Sequence, residues 1–239
     1  MLSVFISGLK KHSGKTFVSG GLAGTMQSLS YTAGYYKPIQ TGATVLKGFT
    51  KCDDILKISD IDENIITANT YSLKSPHSPV SGAYESNVKK IELSAIFNDY
   101  KQLCSNCECA IVEGSNSIST PLNENSTEID IVKNLNLGLV LVINPSKDTI
   151  DEVISGISFI YSNKVSLNGI ILNEYNFESD DSEQKYFEQL ITEYTGAKIL
   201  GRFPHYDDYN NIAPDDLIEK TLKNVDIESI FGIKIAKLS

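Results

Sequence analysis

Short runs of apolar and β-branched residues recur along the chain, separated by stretches long enough to form a helix. Each run spans only three to five residues. Continuous apolar runs of this length are typical of strands that are buried on both faces of a parallel sheet. The predicted strands are Leu2–Ile6, Ala33–Tyr36, Ala110–Val112, Leu139–Ile143, Gly169–Leu172 and Lys198–Leu200.

Apolar residues between these runs repeat at the spacing of an amphipathic helix. The segments predicted to be helical are 17–29, 93–103, 150–157, 183–194 and 215–222, together with a short helix that opens at Asp53 and Asp54. Strand and helix alternate, which predicts right-handed βαβ units and a doubly wound, mostly parallel sheet flanked by helices, an α/β fold of three layers. The chain shows no internal repeat or linker, so we expect a single domain over residues 1–239.

Composition places the chain among ordinary globular proteins. It has 239 residues, of which 41% are hydrophobic and 21% are charged, and a formal net charge of −9. This acidic balance argues against non-specific nucleic-acid binding, which needs a basic surface. However, residues 1–51 contain six lysines and no acidic residue. Such a segment indicates either a local site for a polyanion or solvated surface lysines.

No apolar stretch approaches the ~18 to 20 residues of a membrane span. The apolar segment Leu2–Ile6 precedes the first lysines, which is the reverse of the order in a signal peptide. We therefore expect a cytoplasmic protein with no membrane partner. Cys104, Cys107 and Cys109 lie close together, but no histidine or second cysteine pair accompanies them. Reduced thiols at a helix-to-strand turn are favoured over a metal or disulfide site.

The strongest chemical motif is the segment 7–16, Ser-Gly-Leu-Lys-Lys-His-Ser-Gly-Lys-Thr. It follows the first predicted strand and opens the first predicted helix. Backbone N–H groups and a helix N-terminus converge on an anion in this context, as in the phosphate loops of P-loop NTPases. Lys15 would reach the β- and γ-phosphates and the Thr16 hydroxyl would ligate Mg²⁺. The residues predicted to surround the nucleotide here are Gly8, Lys10, Lys11, His12, Ser13, Gly14, Lys15, Thr16 and Phe17.

The loop departs from the usual pattern in two ways. Leu9 stands where the first glycine of the G-x4-G-K-[ST] motif belongs, and Gly8 lies one residue further away. Lys10 precedes Lys15 by five residues, the spacing of the extra lysine in the deviant phosphate loops of MinD and ParA. Those loops carry glycines where this chain has Lys11 and His12. A solvated loop lysine is the alternative interpretation of Lys10.

Further polar residues follow later strands. Lys37 and Thr41 come at the end of the second predicted strand, and Glu113 comes directly after the strand 110–112. Ligands of open α/β sheets bind beyond the carboxyl ends of the strands, so these side chains are expected over the same crevice as the phosphate loop. Carboxylates at Asp54 and Glu113 with the Thr16 hydroxyl would supply hard oxygen ligands for a partly hydrated Mg²⁺. A solvated turn carboxylate is the alternative for Glu113.

The order and spacing of these motifs resemble the ATP-dependent dethiobiotin synthetase family, from residue 3 to about residue 205. The resembling segments are Gly14-Lys15-Thr16, Lys37-Pro38 with Thr41-Gly42, Asp54, the Ser-Pro segment 75–79, Val112-Glu113-Gly114, 169–173, and Gly201 with Pro204. The resemblance implies an enzyme that closes the ureido ring of dethiobiotin in biotin synthesis. Its substrates would be 7,8-diaminononanoate, CO2 and the co-substrate ATP, and the chain would form a homodimer.

The resemblance also implies roles for individual residues. Lys15 would neutralise the transferring phosphates, Lys37 would hold the γ-phosphate and the carbamate, and Thr41 would hydrogen-bond the diamine carbamate. Thr16, Asp54 and Glu113 would orient Mg²⁺. Asn173 and Pro204 would contact the adenine, and the absence of a guanine-reading Asn-Lys-x-Asp signature after residue 172 favours ATP over GTP.

Three segments depart from the family pattern. An acidic residue is usual at the position of His12, and Ala-Gly-Gly is usual where this chain has Ser115-Asn116-Ser117. The segment 145–149 replaces a Leu-Gly-x-Ile-Asn motif at a helix start, which in the family helps the partner subunit hold the substrate carboxylate. We still expect free N–H groups from Ser146 to Ile150 at this helix N-terminus.

Two alternative functions are left open. The first is another ATP-dependent ligase of the same superfamily, such as a cobyrinic acid diamide synthase, although those chains usually carry an additional amidotransferase domain. The second is a ParA- or MinD-like ATPase switch that positions DNA or membranes. The switch needs a basic face or a terminal amphipathic helix, and the tail 231–239 is short and weakly basic.

Overall fold

A seven-stranded parallel sheet forms the centre of the chain. The computed structural model describes residues 1–177, 182–206 and 212–235. The strands are β1 (Leu2–Gly8), β2 (Ala33–Thr41), β3 (Thr44–Leu46), β4 (Phe49–Lys51), β5 (Ile66–Leu73), β6 (Cys109–Glu113), β7 (Pro121–Asn123), β8 (Ser126–Thr127), β9 (Gly138–Ile143), β10 (Leu167–Tyr175) and β11 (Ile199–Pro204). The sheet has the order β11-β10-β9-β1-β6-β2-β5, while β3–β4 and β7–β8 form separate small hairpins.

Helices cover both faces of this sheet. They are α1 (Lys15–Ser28), α2 (Asp53–Ile61), α3 (Pro79–Glu85), α4 (Leu93–Cys104), α5 (Glu128–Leu135), α6 (Ile150–Ser162), α7 (Ser182–Thr195), α8 (Pro214–Asn224) and α9 (Ile227–Phe231). The alternation along β1 shows the two faces: Phe5 packs in the apolar cluster under α3 to α7, whereas Val4 and Ile6 pack in the cluster under α1, α2, α8 and α9. The predicted three-layer α/β/α fold is confirmed.

All six predicted strands are present, and the predicted helices agree with α1, α2, α4, α6, α7 and α8 within a few residues. Sequence reasoning missed β5, because this edge strand is half-buried and rich in polar residues, so it lacks an apolar run. It also missed the short helices α3, α5 and α9. The last part of the tail considered above, residues 236–239, lies outside the described residues.

The topology brings the chemical motifs to one edge of the sheet. In a parallel sheet all strands end at the same edge, and β1, β6 and β2 are direct neighbours. The segments that follow β1 and β6 therefore meet the last residues of β2 there. In the part of the chain that the structure describes, no helix has both the length and the apolar character needed to cross a membrane.

Candidate active site

A cleft of about 620 Å³ opens at the carboxyl edge of the sheet. Most of the predicted site residues line it, namely Lys11, His12, Gly14, Lys15, Thr16, Phe17, Lys37, Thr41, Asp54, Glu113 and Asn173. Among the described residues, four predicted nucleotide contacts do not line it: Gly8, Lys10, Ser13 and Pro204. The size of the cleft falls within the range of small-molecule and cofactor sites.

The phosphate loop packs closely against the side chain of Asn173 at Gly14. This residue precedes α1 with φ of 93°, and a Cβ placed on it would lie 2.0 Å from Nδ2 of Asn173. Only glycine combines this left-handed backbone with such a close neighbour. The Asn173 amide in turn donates to the carbonyl of Ser13 at 3.2 Å. The N-cap residue of α1, Gly14, makes no side-chain capping hydrogen bond, and a helix N-terminus of this kind can bind an anion through its backbone N–H groups.

Lys15 lies across the floor of the cleft and is only 5% exposed. Its ammonium donates to the carbonyl of Lys10 at 2.9 Å and to the carbonyl of Asn116 at 2.9 Å. Burial and the neighbouring charge of Lys37 lower the pKa of Lys15 to about 8. A buried ammonium whose acceptors are neutral carbonyls has lost its hydration without gaining an opposite charge. An anionic phosphate would supply that charge.

Lys10 does not lie where the spacing of the deviant loops suggested. Its side chain is 40% exposed, and its ammonium faces the start of α6, 2.6 Å from Glu152 and 3.8 Å from Asp148. It also donates to the carbonyl of Lys147 at 2.8 Å. In this conformation Lys10 joins the phosphate loop to the segment before α6 and does not line the cleft.

Lys37 occupies the centre of the polar cluster. It lies inside β2 and not at its end, since this strand extends to Thr41. Its ammonium is 2.7 Å from Oε1 of Glu113, 2.9 Å from Oδ2 of Asp54 and 3.0 Å from the carbonyl of Gly114. Burial lowers the pKa of Lys37, but the charges of Glu113 and Asp54 outweigh burial and hold it above its ordinary value. The lysine is therefore a fixed cation.

Glu113 is completely buried and binds three side chains. Oε1 accepts from Thr16 Oγ1 at 2.8 Å as well as from Lys37, and Oε2 accepts from the hydroxyl of Tyr35 at 2.9 Å. Sequence reasoning missed Tyr35. The signal was its place in β2, two residues before Lys37, because residues i and i+2 of a strand share one face.

The predicted metal ligands converge in the structure. Thr16 contacts Glu113, and Lys37 bridges Glu113 to Asp54. The charge of Lys37 lowers the pKa of Asp54 against the opposing effect of burial, so this carboxylate is ionised. Two carboxylates and a hydroxyl are hard oxygen donors of the kind that suits Mg²⁺, and the residues present therefore fit this metal. At this point of the cleft the Lys37 ammonium balances one of the two negative charges.

The opposite end of the cleft has the features of a polar base pocket. Asn173 is 1% exposed, and its Oδ1 has no hydrogen-bond partner among the described residues. At the rim, the Lys147 ammonium lies 2.9 Å from Glu174 Oε1. Pro204 ends β11 beside Tyr175, outside the cleft lining that the structure describes. Phe17 lines the cleft and packs edge-to-face on Phe203 at 5.3 Å.

The expectation of free N–H groups before α6 is wrong for most of the segment. The backbone N–H of Ser146 donates to the Asn144 side chain, and those of Lys147 and Asp148 donate to the Asn144 carbonyl. Thr149 forms a capping box with Glu152, in which each backbone N–H donates to the other side chain. This helix start satisfies its own donors because the Asn144 side chain and carbonyl and the Glu152 and Thr149 side chains accept them locally.

Comparison with known proteins identifies the family of this chain. A family model described as an AAA domain, AAA_26, matches residues 3–213. The chain belongs to this family. It is 28% identical over 236 residues to the ATP-dependent dethiobiotin synthetase BioD of Nitrosopumilus maritimus, covering 96% of this chain and 99% of that relative. It is 29% identical to the enzyme of the same name from Clostridium perfringens, covering 90% of this chain and 96% of the relative.

Solved structures support the P-loop fold of this AAA-domain chain. The MinC:MinD cell division protein complex of Aquifex aeolicus matches with a TM-score of 0.59 and 13% identity over 100% of this chain and 99% of the other. McdA of Cyanothece in its apo form matches with a TM-score of 0.60 and 14% identity over 96% of this chain and 98% of the other. At this identity the likeness concerns the fold alone. P-loop NTPases use nucleotides.

Proposed function

We propose that this chain is an ATP-dependent dethiobiotin synthetase. The observation that carries the proposal is the convergence of Lys15 and Lys37 with the oxygen donors Thr16, Asp54 and Glu113 in one cleft. Two cations and an oxygen ligand set at a phosphate loop suit the transfer of a phosphoryl group between anionic partners. The BioD relatives cover almost the whole chain and add the substrate class.

The nucleotide would lie along the phosphate loop. The first-turn N–H groups of α1 and the Lys15 ammonium would bind its β- and γ-phosphates, because Lys15 is already buried at the loop. Asn173 would contact the adenine with its unpaired Oδ1, which can accept a hydrogen bond from an exocyclic amine. Pro204, at the end of β11, would contact the adenine from outside.

Magnesium would be held by Thr16, Asp54 and Glu113, and when bound it would neutralise phosphate charge as the γ-phosphoryl group transfers. Those carboxylates now neutralise the Lys37 ammonium. A second cation at the carboxylates would leave Lys37 free to pair with the γ-phosphate and the carbamate. Lys37 would thus serve as the cation at the reacting centre. Before the substrates bind, it remains paired with Glu113.

The chemistry would proceed in balanced steps. One amine of 7,8-diaminononanoate adds to CO2 and loses a proton, which gives a carbamate. A carbamate oxygen attacks the γ-phosphorus and ADP leaves, which gives a carbamic–phosphoric anhydride. The second amine attacks its carbonyl carbon, loses a proton and expels phosphate, closing the ring. Thr41, at the end of β2 in the cleft, would donate or accept a hydrogen bond at the carbamate. The main contribution of the protein is position and charge.

We also propose a homodimer, as the family resemblance implies. The start of α6 would then contribute differently from the family pattern, because the Asn144 carbonyl and the Asn144 and Glu152 side chains satisfy the N–H groups of residues 146–149. Gel filtration with light scattering tests the assembly; a monomer at working concentration would contradict it.

The test of the function is a steady-state assay of phosphate release with 7,8-diaminononanoate, bicarbonate and MgATP, combined with mass measurement of the product. We expect phosphate release to depend on the diamine and a product with the mass of dethiobiotin. ATP hydrolysis that is indifferent to the diamine, with no cyclic urea formed, would overturn the proposal. That outcome would instead favour an ATPase switch. Replacement of the diamine by a carboxylic acid and ammonia tests the amide-forming alternative.

A further inference from the structure

Glu128 is a buried carboxylate that the reaction scheme above does not use. It is the first residue of α5 and is 1% exposed. Among the described residues, no lysine or arginine lies within ion-pair distance of it. A buried carboxylate without a paired cation is costly unless hydrogen bonds satisfy it, so its contacts indicate what it does.

Both oxygens of Glu128 are used, and they join two segments of the cleft floor. Oε1 accepts from the hydroxyl of Ser7 at 2.7 Å, one residue before the end of β1. Oε2 accepts from the backbone N–H of Ser115 at 2.7 Å and from its hydroxyl at 2.8 Å. The carboxylate lies so close to the intervening backbone that a Cβ on Gly114 would be 2.1 Å from Oε1. Gly114 thereby permits this contact.

Ser115 stands between the two carbonyls that hold the ammonium groups of the cleft. The carbonyl of Gly114 accepts from Lys37 at 3.0 Å, and the carbonyl of Asn116 accepts from Lys15 at 2.9 Å. Glu128 fixes the residue in the middle through both its backbone and its side chain. This segment is also where the chain has Ser115 in place of the alanine of the Ala-Gly-Gly usual in the family, so the hydroxyl contact to Glu128 depends on a departure from that pattern.

From this geometry we infer that Glu128 is a positioning residue for Lys15 and Lys37. It clamps Ser115 against β1 and so sets the places of the Gly114 and Asn116 carbonyls, and thereby of both ammonium groups. The role in catalysis rests on the proposed function, whereas the clamp itself does not. Glu128 is buried beneath the cleft and does not meet the substrate.

The test compares Glu128→Met with Glu128→Gln. Methionine keeps much of the length and accepts none of the three hydrogen bonds. Glutamine can keep all three, since its Oε1 can accept from both groups of Ser115 while its Nε2 donates to the Ser7 hydroxyl. We expect Glu128→Met to lower kcat about 10²-fold, the effect of a ~1 Å displacement of reacting groups. Glu128→Gln should stay within about threefold, because it keeps the hydrogen bonds.

Asp130→Asn is the matched control for a general weakening of α5. Asp130 belongs to the capping box at the same helix start, accepting from the backbone N–H of Thr127 at 2.8 Å, and it does not contact Ser115. We expect this variant to lower the melting temperature while kcat stays unchanged. Equal losses of kcat in Asp130→Asn and Glu128→Met would overturn the proposal, as would an unchanged kcat in Glu128→Met or a Glu128→Gln variant as impaired as Glu128→Met.

Hydrogen exchange at the Ser115 amide gives a readout that needs no activity. We expect faster exchange in Glu128→Met and near-native exchange in Glu128→Gln and Asp130→Asn. If Glu128→Met does not fold, Ser7→Ala tests the same clamp from the β1 side, with a smaller acceleration expected. Native exchange in all of these variants would overturn the clamp. If the unaltered chain makes no dethiobiotin, the proposed function fails while the exchange data still decide the clamp.

Discussion

The ammonium of Lys37 lies 2.7 Å from Oε1 of Glu113, the same oxygen that accepts from the hydroxyl of Thr16 at 2.8 Å. A lysine thus occupies the position at which the side chains of the proposed metal site converge. Both side chains are almost inaccessible, with exposures of 4% and 0%. The ion pair joins the Lys37 ammonium, which would face the phosphate, to the Glu113 carboxylate, which would face the metal.

Replacement of Lys37 by methionine removes the cation from two carboxylates. We expect the free energy of unfolding in metal-free buffer to fall by about 3–5 kcal/mol, the cost of leaving a buried charge unpaired. Added Mg²⁺ should recover more stability in this variant than in the unaltered chain, and kcat should fall at least about 10²-fold. Urea unfolding with and without Mg²⁺ measures the first effects and phosphate release the last. A variant with unchanged kcat would remove Lys37 from the reacting centre.

Glu113→Gln keeps the shape of the side chain and removes its charge. We expect the Mg²⁺ concentration for half-maximal activity to rise at least about tenfold, as for other losses around a metal site. Tyr35→Phe is the milder companion, because it removes one hydrogen bond to Oε2 and leaves the carboxylate charged. Its activation curve should shift less. Identical Mg²⁺ curves for Glu113→Gln and the unaltered chain would contradict the ligand assignment.

Gly14→Ala should abolish nucleotide binding, since the new methyl group would lie 2.0 Å from Nδ2 of Asn173. Gly48→Ala provides the control. Gly48 has a similar φ of 86°, but a Cβ there meets nothing within 4 Å, so this variant bears only the backbone strain of roughly 1–2 kcal/mol. Calorimetric titration with an ATP analogue measures both. Equal affinities in the two variants would show that close packing at Gly14 is unimportant.

Thr41→Val replaces a hydroxyl in the cleft by a methyl group of similar size. We expect the KM for the diamine to rise by roughly 0.5–1.5 kcal/mol in free energy, about two- to tenfold, the net contribution of one neutral hydrogen bond. The KM for ATP should change little, because the phosphate loop and Asn173 lie elsewhere. Steady-state titration of each substrate distinguishes the two. A raised KM for ATP alone would place Thr41 at the nucleotide.

Alkylation should select Cys104 among the cysteines. A hydrogen bond from Cys107 lowers the pKa of the half-buried Cys104 thiol to about 7, whereas burial raises the pKa of Cys52 to about 11 and of Cys109 to about 12. The thiolate is the nucleophile, so the rate with iodoacetamide should rise with pH through about 7 and then level off. Peptide mass mapping over pH 5.5–9 measures it.

Cys107→Ala is the companion variant for this alkylation. Alanine cannot donate a hydrogen bond to the Cys104 sulfur, so we expect the rise to move to higher pH. Cys104 ends α4 before β6 begins, at the sheet edge opposite the cleft, and the alkylated chain should keep its phosphate release. Uniform labelling of Cys104 and Cys109 at pH 7 would contradict the assignment.

The amino-acid sequence by itself determined the layer architecture and the nucleotide end of the site. Continuous apolar runs predict buried parallel strands because both faces of such strands are covered, and the predicted runs account for most of β1 and β9. The phosphate loop was predicted from the segment 7–16, since its chemistry depends on a local succession of strand, loop and helix. The edge strand β5 was not predicted, because an edge strand is only half-buried and does not need a continuous apolar run.

Only the tertiary structure decided the electrostatics of the cleft. Lys37 and Glu113 were both predicted, but not their ion pair, because the parallel pairing of β2 with β6 brings together residues 76 positions apart. The role of Glu128 was not predicted at all, since its hydrogen-bond partner Ser7 lies 121 positions away in the sequence. Periodicity and local motifs report which face a residue takes, whereas a charge acts through space on whatever the fold places beside it. For this reason the sequence predicted Thr16, Asp54 and Glu113 as metal ligands, whereas only the fold showed that the Lys37 ammonium lies among them.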